Sequence, residues 1–351
     1  LPAFQGQKTW SIPFFWVQFP SMLTLTSKGL YCRAGNFYID PKGAVENAVV
    51  THAHSDHARR GSQHYYCTVS GESLLRARIG KKISATAVMY GVQWQMGRVL
   101  VSFHPAGHIL GSAQVRMEYE GEVWVASGDY KRDADPTCEP FEVVPCDTFV
   151  TEATFGAPSY VWDKTADLGS QIFEWWSSNA ELGVNSVLFA YSLGKAQRVL
   201  GLLRPYTEKT VYCHPAATPL NECYRSQGIS LARTRCLSQV DENQILRGEL
   251  FLVPQAFLRS DQAQILGPNY RTAFASGWMA RSHYGFDQGF LLSDHADWND
   301  LVQTVRETRA KRVYVQHRGQ GAFVRHLRGL GLKAYPESAL ISPNENQLEL
   351  F

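Results

Sequence analysis

No window of this 351-residue chain approaches the ~18 uncharged apolar residues that a membrane-spanning helix needs, so no helical membrane protein is expected. With 44% apolar and 19% charged residues the balance is globular. An excess of one charge is missing too: 34 Lys and Arg face 32 Asp and Glu, for a net charge of +2. Any binding of nucleic acid must therefore come from local patches or bound cations, not from a basic chain as a whole. The seven cysteines (Cys32, Cys67, Cys138, Cys146, Cys213, Cys223 and Cys236) are scattered, odd in number and form no CxxC pair, which favours free thiols in a reducing cytoplasm. Internal repeats and low-complexity tracts are absent.

At this length a single core has stopped growing, so two domains, or one domain with a large insertion, are expected. Residues 1–21 are rich in Pro, Trp and Phe and lack the basic start and small-residue cleavage site of a signal peptide. They read as an upstream or non-native extension, because Met22 opens a clean alternating segment, Leu23-Thr24-Leu25-Thr26.

Strand-like runs bounded by turns fill the first 150 residues: Phe37 to Ile39, Ala48 to Thr51 and Val99 to Phe103. Ala113, Val115, Met117 and Tyr119 alternate with Gln114, Arg116 and Glu118, and Val123 and Val125 continue beyond Glu120-Gly121, which predicts a half-buried hairpin. A helix is expected around Gly71 to Ile79. From about residue 165 strand and helix alternate: helix Leu168 to Leu182, strand Ser186 to Tyr191, helix Lys195 to Leu203, strand Thr210 to Cys213. That is the pattern of a parallel α/β unit. Later come Phe290-Leu291-Leu292, a helix from Trp298 to Thr308, a strand Arg312 to Val315 and a helix from Gly321 to Leu330.

The most informative stretch is Thr51-His52-Ala53-His54-Ser55-Asp56-His57, directly after the apolar run Ala48-Val49-Val50. It puts four metal-capable side chains into six residues. His52 and His54, two apart on an extended loop, can grip one ion, while Asp56 and His57 turn toward a second. Imidazole and carboxylate donors suit zinc or a similar first-row dication, and such pairs of ions generate hydroxide near neutral pH, so hydrolysis is the first expectation. Further candidates stand at the ends of predicted strands: His108 after Phe103, Asp129 in Ser127-Gly128-Asp129-Tyr130, and Asp40, placed to accept a hydrogen bond from a ligand histidine.

Asp40, the HxHxDH run, His108 and Asp129 resemble, in order and spacing, the four motifs of the metallo-β-lactamase fold. Thr151-Glu152-Ala153-Thr154-Phe155-Gly156, Ser293-Asp294-His295-Ala296-Asp297 and the His317 region resemble motifs A, B and C of the β-CASP nucleases. Within that group, Ala190-Tyr191-Ser192-Leu193-Gly194-Lys195-Ala196-Gln197-Arg198 and Ser276-Gly277-Trp278-Met279 are most similar to bacterial ligase-associated DNA damage response exonucleases. The resemblance implies an α/β fold, an αββα metallo-β-lactamase sandwich with an inserted parallel α/β β-CASP domain. Its first part would span 22–156, the β-CASP domain 157–293 and the C-terminal part 294–351.

The resemblance assigns His52, His54, His108 and Asp129 to one metal, and Asp56, His57, Asp129 and His317 to the other. It implies two divalent ions, zinc as the bound metal and manganese as a further candidate for activity, with a metal-bound hydroxide as nucleophile. His295 would protonate the leaving oxygen, with Glu152 holding its other nitrogen. The third motif departs from the family's His-Gly, reading Gln316-His317-Arg318-Gly319. His317 is retained because it ends the strand Arg312 to Val315, whereas His326 lies in a helix and His104 precedes Pro105. A histidine at this position goes with RNA-cutting members of the group and a valine with DNA-cutting ones.

Substrate contacts are less legible, since residues 157–293 carry 12 Lys and Arg against 11 Asp and Glu. Lys195 and Arg198, on one face of a helix starting after Gly194, and Ser276, with Gly277, are the candidates for phosphate, although solvated charge and a plain turn explain the same residues. Trp278 and Tyr191 are candidates for stacking on unpaired bases, or else core aromatics. The expected function is a metal-dependent DNA exonuclease acting on single strands or ends in repair, partnered by nucleic acid, an ATP-dependent DNA ligase and a helicase. The alternatives are a β-CASP ribonuclease, a hydrolase of small thioesters or lactams, and a catalytically dead scaffold subunit.

Overall fold

A computed structural model describes residues 21–241, 244, 246–281, 285–317 and 319–341. The extension through residue 20 and Arg318 lie outside the described residues.

The first strands form a mixed six-stranded sheet in sequential order: β1 (Leu23–Thr26), β2 (Gly29–Cys32), β3 (Phe37–Ile39), β4 (Asn47–Val49), β5 (His64–Thr68) and β6 (Ala85–Val88), with helix α1 (Val69–Ile79) between the last two. Thr68 caps α1, its hydroxyl accepting from the Gly71 N–H at 3.0 Å. The next strands, β7 (Gln93–Met96), β8 (Val99–Pro105), β9 (Ala113–Tyr119), β10 (Glu122–Ala126) and β11 (Thr148–Thr151), build most of a second sheet. The predicted hairpin is β9–β10. Glu120 and Gly121, both at positive φ (51° and 77°), make the tight turn whose twist matches two antiparallel strands. Gln114 breaks the expected alternation: it is fully buried, its amide donating to the Pro105 and Glu142 carbonyls at 3.0 and 2.6 Å.

A separate all-parallel sheet follows. Its elements are α2 (Leu168–Glu181), β12 (Asn185–Phe189), α3 (Lys195–Leu203), β13 (Val211–Cys213), α4 (Thr218–Arg225), β14 (Thr234–Cys236), β15 (Leu250–Val253), β16 (Tyr270–Ala275) and β17 (Gln288–Phe290), in spatial order β14-β13-β15-β12-β16-β17. Two predicted strands end earlier than expected: the chain leaves β4 before Thr51 and β12 before Tyr191. Beyond β17 it turns as the Leu292 N–H donates to the Phe290 carbonyl at 2.9 Å. After α5 (Trp298–Thr308), β18 (Arg312–Val315) pairs in parallel with β11, so the chain returns to the second sheet beside the strand it left; α6 (Gln320–Gly329) and β19 (Lys333–Pro336) complete it.

Apolar faces decide the stacking. Leu23, Cys32, Phe37 and Val49 of the first sheet interlock with Val99, Val101, Phe103, Val115 and Trp124 of the second. The outer face of the first sheet takes Leu75 and Ile79 of α1, and that of the second takes Leu301, Val305, Phe323 and Leu327 of α5 and α6. The inserted unit docks through one continuous cluster in which Leu74, Ile109 and Leu110 meet Leu193, Leu200, Leu220 and Tyr224. All seven cysteines are free thiols, and no helix among the described residues is long and apolar enough to cross a membrane. In the second sheet β8, β10, β11 and β18 run the same way, so the loops after them open on one edge.

Candidate metal centre and proton donor

Those loops carry His108, Asp129, Glu152 and His317, and the loop after β4 brings His52 to His57 to the same place. Gly128 lets Asp129 approach: at φ 55° any Cβ there would lie 2.7 Å from the Thr51 side chain.

Each imidazole is oriented by the nitrogen that faces away from the centre. His57 Nδ1 donates to Asp40 Oδ2 at 2.7 Å, His108 Nδ1 to the Asp294 carbonyl at 2.7 Å and His54 Nε2 to the Leu193 carbonyl at 3.1 Å. Thr51 spends its hydroxyl proton on Asp40 Oδ2 at 2.6 Å, so its oxygen accepts from His52 Nδ1 at 3.1 Å. Every one of these four rings is thus held in the tautomer that leaves an inward lone pair. Those lone pairs converge, with His52 Nε2 and His108 Nε2 each 3.0 Å from His54 Nδ1.

Asp129 is the common member of three groups of potential ligands: with His52, His54 and His108; with His57 and His317; and with Glu152 and His295. Its Oδ2 lies 3.3 Å from His57 Nε2 and 3.7 and 3.8 Å from those of His52 and His108, and its Oδ1 lies 3.3 Å from His317 Nε2. Oδ1 is buried without a hydrogen-bond partner among the described residues. Burial and neighbouring imidazoles push His52 and His108 well below the usual histidine range, and burial lowers His54 as well. Burial works against a charged His57 too, but Asp129 and Asp40 outweigh it and raise its pKa, and Asp129 likewise raises His317. Asp129 ionises far below the ordinary carboxylate range: its burial is overcome by His57 and His317. His52, His54 and His108, pushed toward the neutral form and packed lone pair to lone pair beside a buried carboxylate, with His57 and His317 on its other side, are consistent with a dinuclear metal site.

Asp56, expected as a ligand, stands at the rim with its side chain 69% exposed and its carboxylate 3.8 Å from His57 Nε2, outside the three groups. His317 takes a left-handed backbone (φ 67°) to turn inward from the end of β18.

His295 packs against the His108 ring, centroids 4.7 Å apart. Its Nδ1 contacts both oxygens of fully buried Glu152 at 3.0 and 2.9 Å. Glu152 is itself fixed by the Tyr130 N–H at 2.7 Å and the Thr154 hydroxyl at 2.6 Å. Burial pulls His295 down, but Glu152 prevails and raises its pKa to about 9. His295 lines a pocket of about 650 Å³ together with His54, Asp129 and His317.

The substrate-binding expectations fare differently. Lys195 and Arg198 are buried, not solvated: Lys195 Nζ bonds the Leu292 carbonyl at 2.8 Å and Asp294 Oδ2 at 2.9 Å, and Arg198 bonds the Ser293 carbonyl and faces Asp135 and Asp294. Their charges are spent inside the fold because the helix face they share looks at the 292–294 loop instead of solvent. Ser276 is buried with its hydroxyl capping the Trp278 N–H at 3.3 Å, at the pocket wall. Trp278 packs on Phe155 and Tyr160, whereas Tyr191 is exposed. Sequence reasoning missed Thr51 as the link between Asp40 and two histidines, although it lies inside the motif. The carbonyls of Leu193 and Asp294 carry no sequence signal at all.

Similarity to other proteins agrees with this geometry. The chain is 32% identical over 331 residues to a protein of Opitutus terrae named a probable DNA ligase, covering 92% of this chain and 31% of that one. It is 25% identical over 191 residues to an RNase J-like protein of Methanocaldococcus jannaschii (48% of this chain, 45% of the relative) and 29% identical over 126 residues to the endoribonuclease YSH1 of Gibberella zeae (35% and 15%). Metallo-β-lactamase and β-CASP proteins are thus among the relatives of this chain. The chain spans less than half the length of these curated relatives. No protein-family model matches it. A crystal structure of a protein of unknown function from Enterococcus faecalis shares the fold of this chain with a TM-score of 0.55 at 11% identity, over 78% of this chain and 76% of that one.

Proposed function

We propose that the chain is a dinuclear-metal phosphodiesterase acting on nucleic acid, a DNA exonuclease for single strands or ends. The observation that carries the reading is the His295–Glu152 couple beside the Asp129 cluster. A hydrolase of small lactams or thioesters leaves the His295–Glu152 couple unexplained, while cleaving a phosphodiester gives it a task, supplying a proton to an alkoxide leaving group. His52, His54 and His108 would hold one ion and His57 and His317 the other, with Asp129 between them and Asp56 at the rim. Two dications bound there would supply Lewis acidity and neutralise charge developing on the phosphoryl oxygens. His295 holds its acidic proton on Nε2, because Glu152 takes Nδ1; its raised pKa keeps that proton available near neutrality. The nitrogen and oxygen donor set suits zinc, with manganese the alternative for activity.

In domain terms we read the layers as an αββα sandwich formed by 22–156 and 294–351, interrupted by a β-CASP domain at 157–293. The name of the Opitutus relative favours DNA and association with a ligase; a helicase partner, a repair setting and the cytoplasm belong to the reading through the family resemblance alone. His317 beside Asp129, with the endoribonuclease names of other relatives, supports a β-CASP ribonuclease as the second reading. Purified protein given 5′- and 3′-labelled DNA and RNA with zinc or manganese tests both. DNA shortened from an end is expected; RNA cut with DNA intact would replace the first reading by the second.

A further inference from the structure

If the metal centre cleaves a phosphodiester, the rest of the strand must leave the pocket along its walls, and most polar and aromatic groups there are already committed. Lys195 gives its ammonium to Asp294 and the Leu292 carbonyl. Phe155 and Trp278 pack on each other with centroids 4.9 Å apart. Among the basic and aromatic lining side chains, two remain. Arg78, next to last in α1, offers only its backbone carbonyl to the fold, accepting from Arg60 Nη2 at 3.2 Å, and its guanidinium has no hydrogen bond or ion pair among the described residues. Tyr191 is 64% exposed, with no ring partner and no hydrogen bond on its hydroxyl among the described residues.

Single exposed aromatics are ordinary, and so are unpaired arginines. Here the two open onto one pocket that also holds the metal centre, and their backbones are fixed. Arg78 belongs to a helix, and the Tyr191 carbonyl accepts from the Ala196 N–H at 3.0 Å at the start of α3. An unpaired nucleotide presents what they lack, a phosphate for the guanidinium and a free π-face for the ring. A base inside a duplex has both faces covered by its neighbours. The geometry points to a subsite for an unpaired strand in which Tyr191 stacks on a base and Arg78 pairs with a backbone phosphate. Because one residue comes from the first part of the chain and the other from the inserted unit, the subsite exists only at their junction.

This inference rests on the nuclease reading, and the test separates the two. Metal-loaded protein is titrated with a dye-labelled, fully phosphorothioate oligothymidylate, which resists cleavage, across a range of salt. Tyr191→Ala is expected to weaken binding by roughly 5- to 100-fold, the worth of stacking one base, with the salt slope unchanged. Tyr191→Phe is expected to restore it. Arg78→Ala is expected to reduce the slope of log affinity against log salt by about 0.7, one phosphate contact on a single strand, and Arg78→Lys to restore it. On cleavable oligonucleotides both alanine variants raise KM while kcat holds. Neither side chain packs in the core, so misfolding does not confuse the result. Wild-type binding with both alanine variants unchanged would overturn the subsite, and equal wild-type affinity for a blunt duplex would overturn its preference for unpaired strands. Should the wild type hydrolyse bis(4-nitrophenyl) phosphate yet neither bind nor cut any oligonucleotide, the nuclease reading itself would fall.

Discussion

Two buried ionic clusters meet at Asp294, and they are built on opposite rules. In the first, five histidines surround one carboxylate, Asp129, with four rings aiming lone pairs at the same space and an Asp129 oxygen left without a hydrogen bond among the described residues. In the second, charges alternate: Lys131 pairs with Asp135, Asp135 with Arg198, Arg198 with Asp294 and Asp294 with Lys195. The second is a set of partners that needs nothing more, apart from Asp294 Oδ1 and Arg198 Nε, which have charge contacts but no hydrogen bond. The first is a set of candidate ligands, in which burial pushes three imidazoles toward the neutral form and Asp129 holds His57 and His317. Asp294 couples the two, its carboxylate clamped by the cations and its carbonyl orienting His108. Burial alone therefore says little about a charged group's purpose; the signs of its neighbours say more.

The sharpest way to break the contrast is to remove each cluster's shared anion. Asp129→Ala takes the one carboxylate common to every candidate ligand group, so bound metal is expected to be lost and hydrolysis to fall to background, as read by elemental analysis and a cleavage assay. Full metal content in that variant would mean that the cluster is not a metal centre. Asp135→Ala leaves Lys131, whose side chain is fully buried, without its anion, and is expected to cost about 3–5 kcal/mol by urea denaturation with metal content retained. A cost below ~1 kcal/mol, that of an exposed pair, would show that the alternating cluster is no closed unit.

His295 sits between the two clusters and sharpens the comparison, since it touches the ligand set through His108 yet is oriented by Glu152. His295→Ala is expected to lower turnover by ~10² to 10⁴ with metal stoichiometry unchanged. Loss of metal in that variant would move His295 into the ligand set.

The ligand set was far more legible in sequence than the clamp. His52, His54 and His57 sit in one short local motif, and His108 and Asp129 stand at strand ends whose loops converge by topology, while the resemblance to the metallo-β-lactamase motifs is what joined them into one set. Helices α3 and α5 were predicted with their observed bounds because their apolar periodicity is clean. Lys195 and Arg198 were misjudged for a physical reason: spacing on a helix shows which residues share a face but not what that face meets. Here it meets Ser293 and Asp294, about 95 residues away, and Asp135 from another loop. Strand β15 is short and buried on both faces, so it gives no alternation to read.

The smallest effect expected lies on the acid side. Burial opposes ionisation of Asp135, yet Lys131 and Arg198 prevail and hold its pKa below the ordinary value. A carboxylate with a lowered folded pKa adds stability that is present above the unfolded value, about 3.9, and is lost as pH falls through the folded one, because the unfolded chain takes up the proton first. The urea midpoint is therefore expected to be insensitive to this group between pH 5 and pH 7, taken as roughly one unit above its unfolded pKa, and to drop below about pH 4. The loss is smaller than in Asp135→Ala because a protonated carboxyl still accepts from the Thr137 hydroxyl and N–H, at 2.6 and 2.9 Å in the structure. Asp135→Asn keeps an acceptor there without the charge, so it should start less stable at neutral pH and lose the part of the acid slope that Asp135 supplies. If wild type and Asp135→Asn fall in parallel on acidification, the alternating charges are not what holds that cluster together.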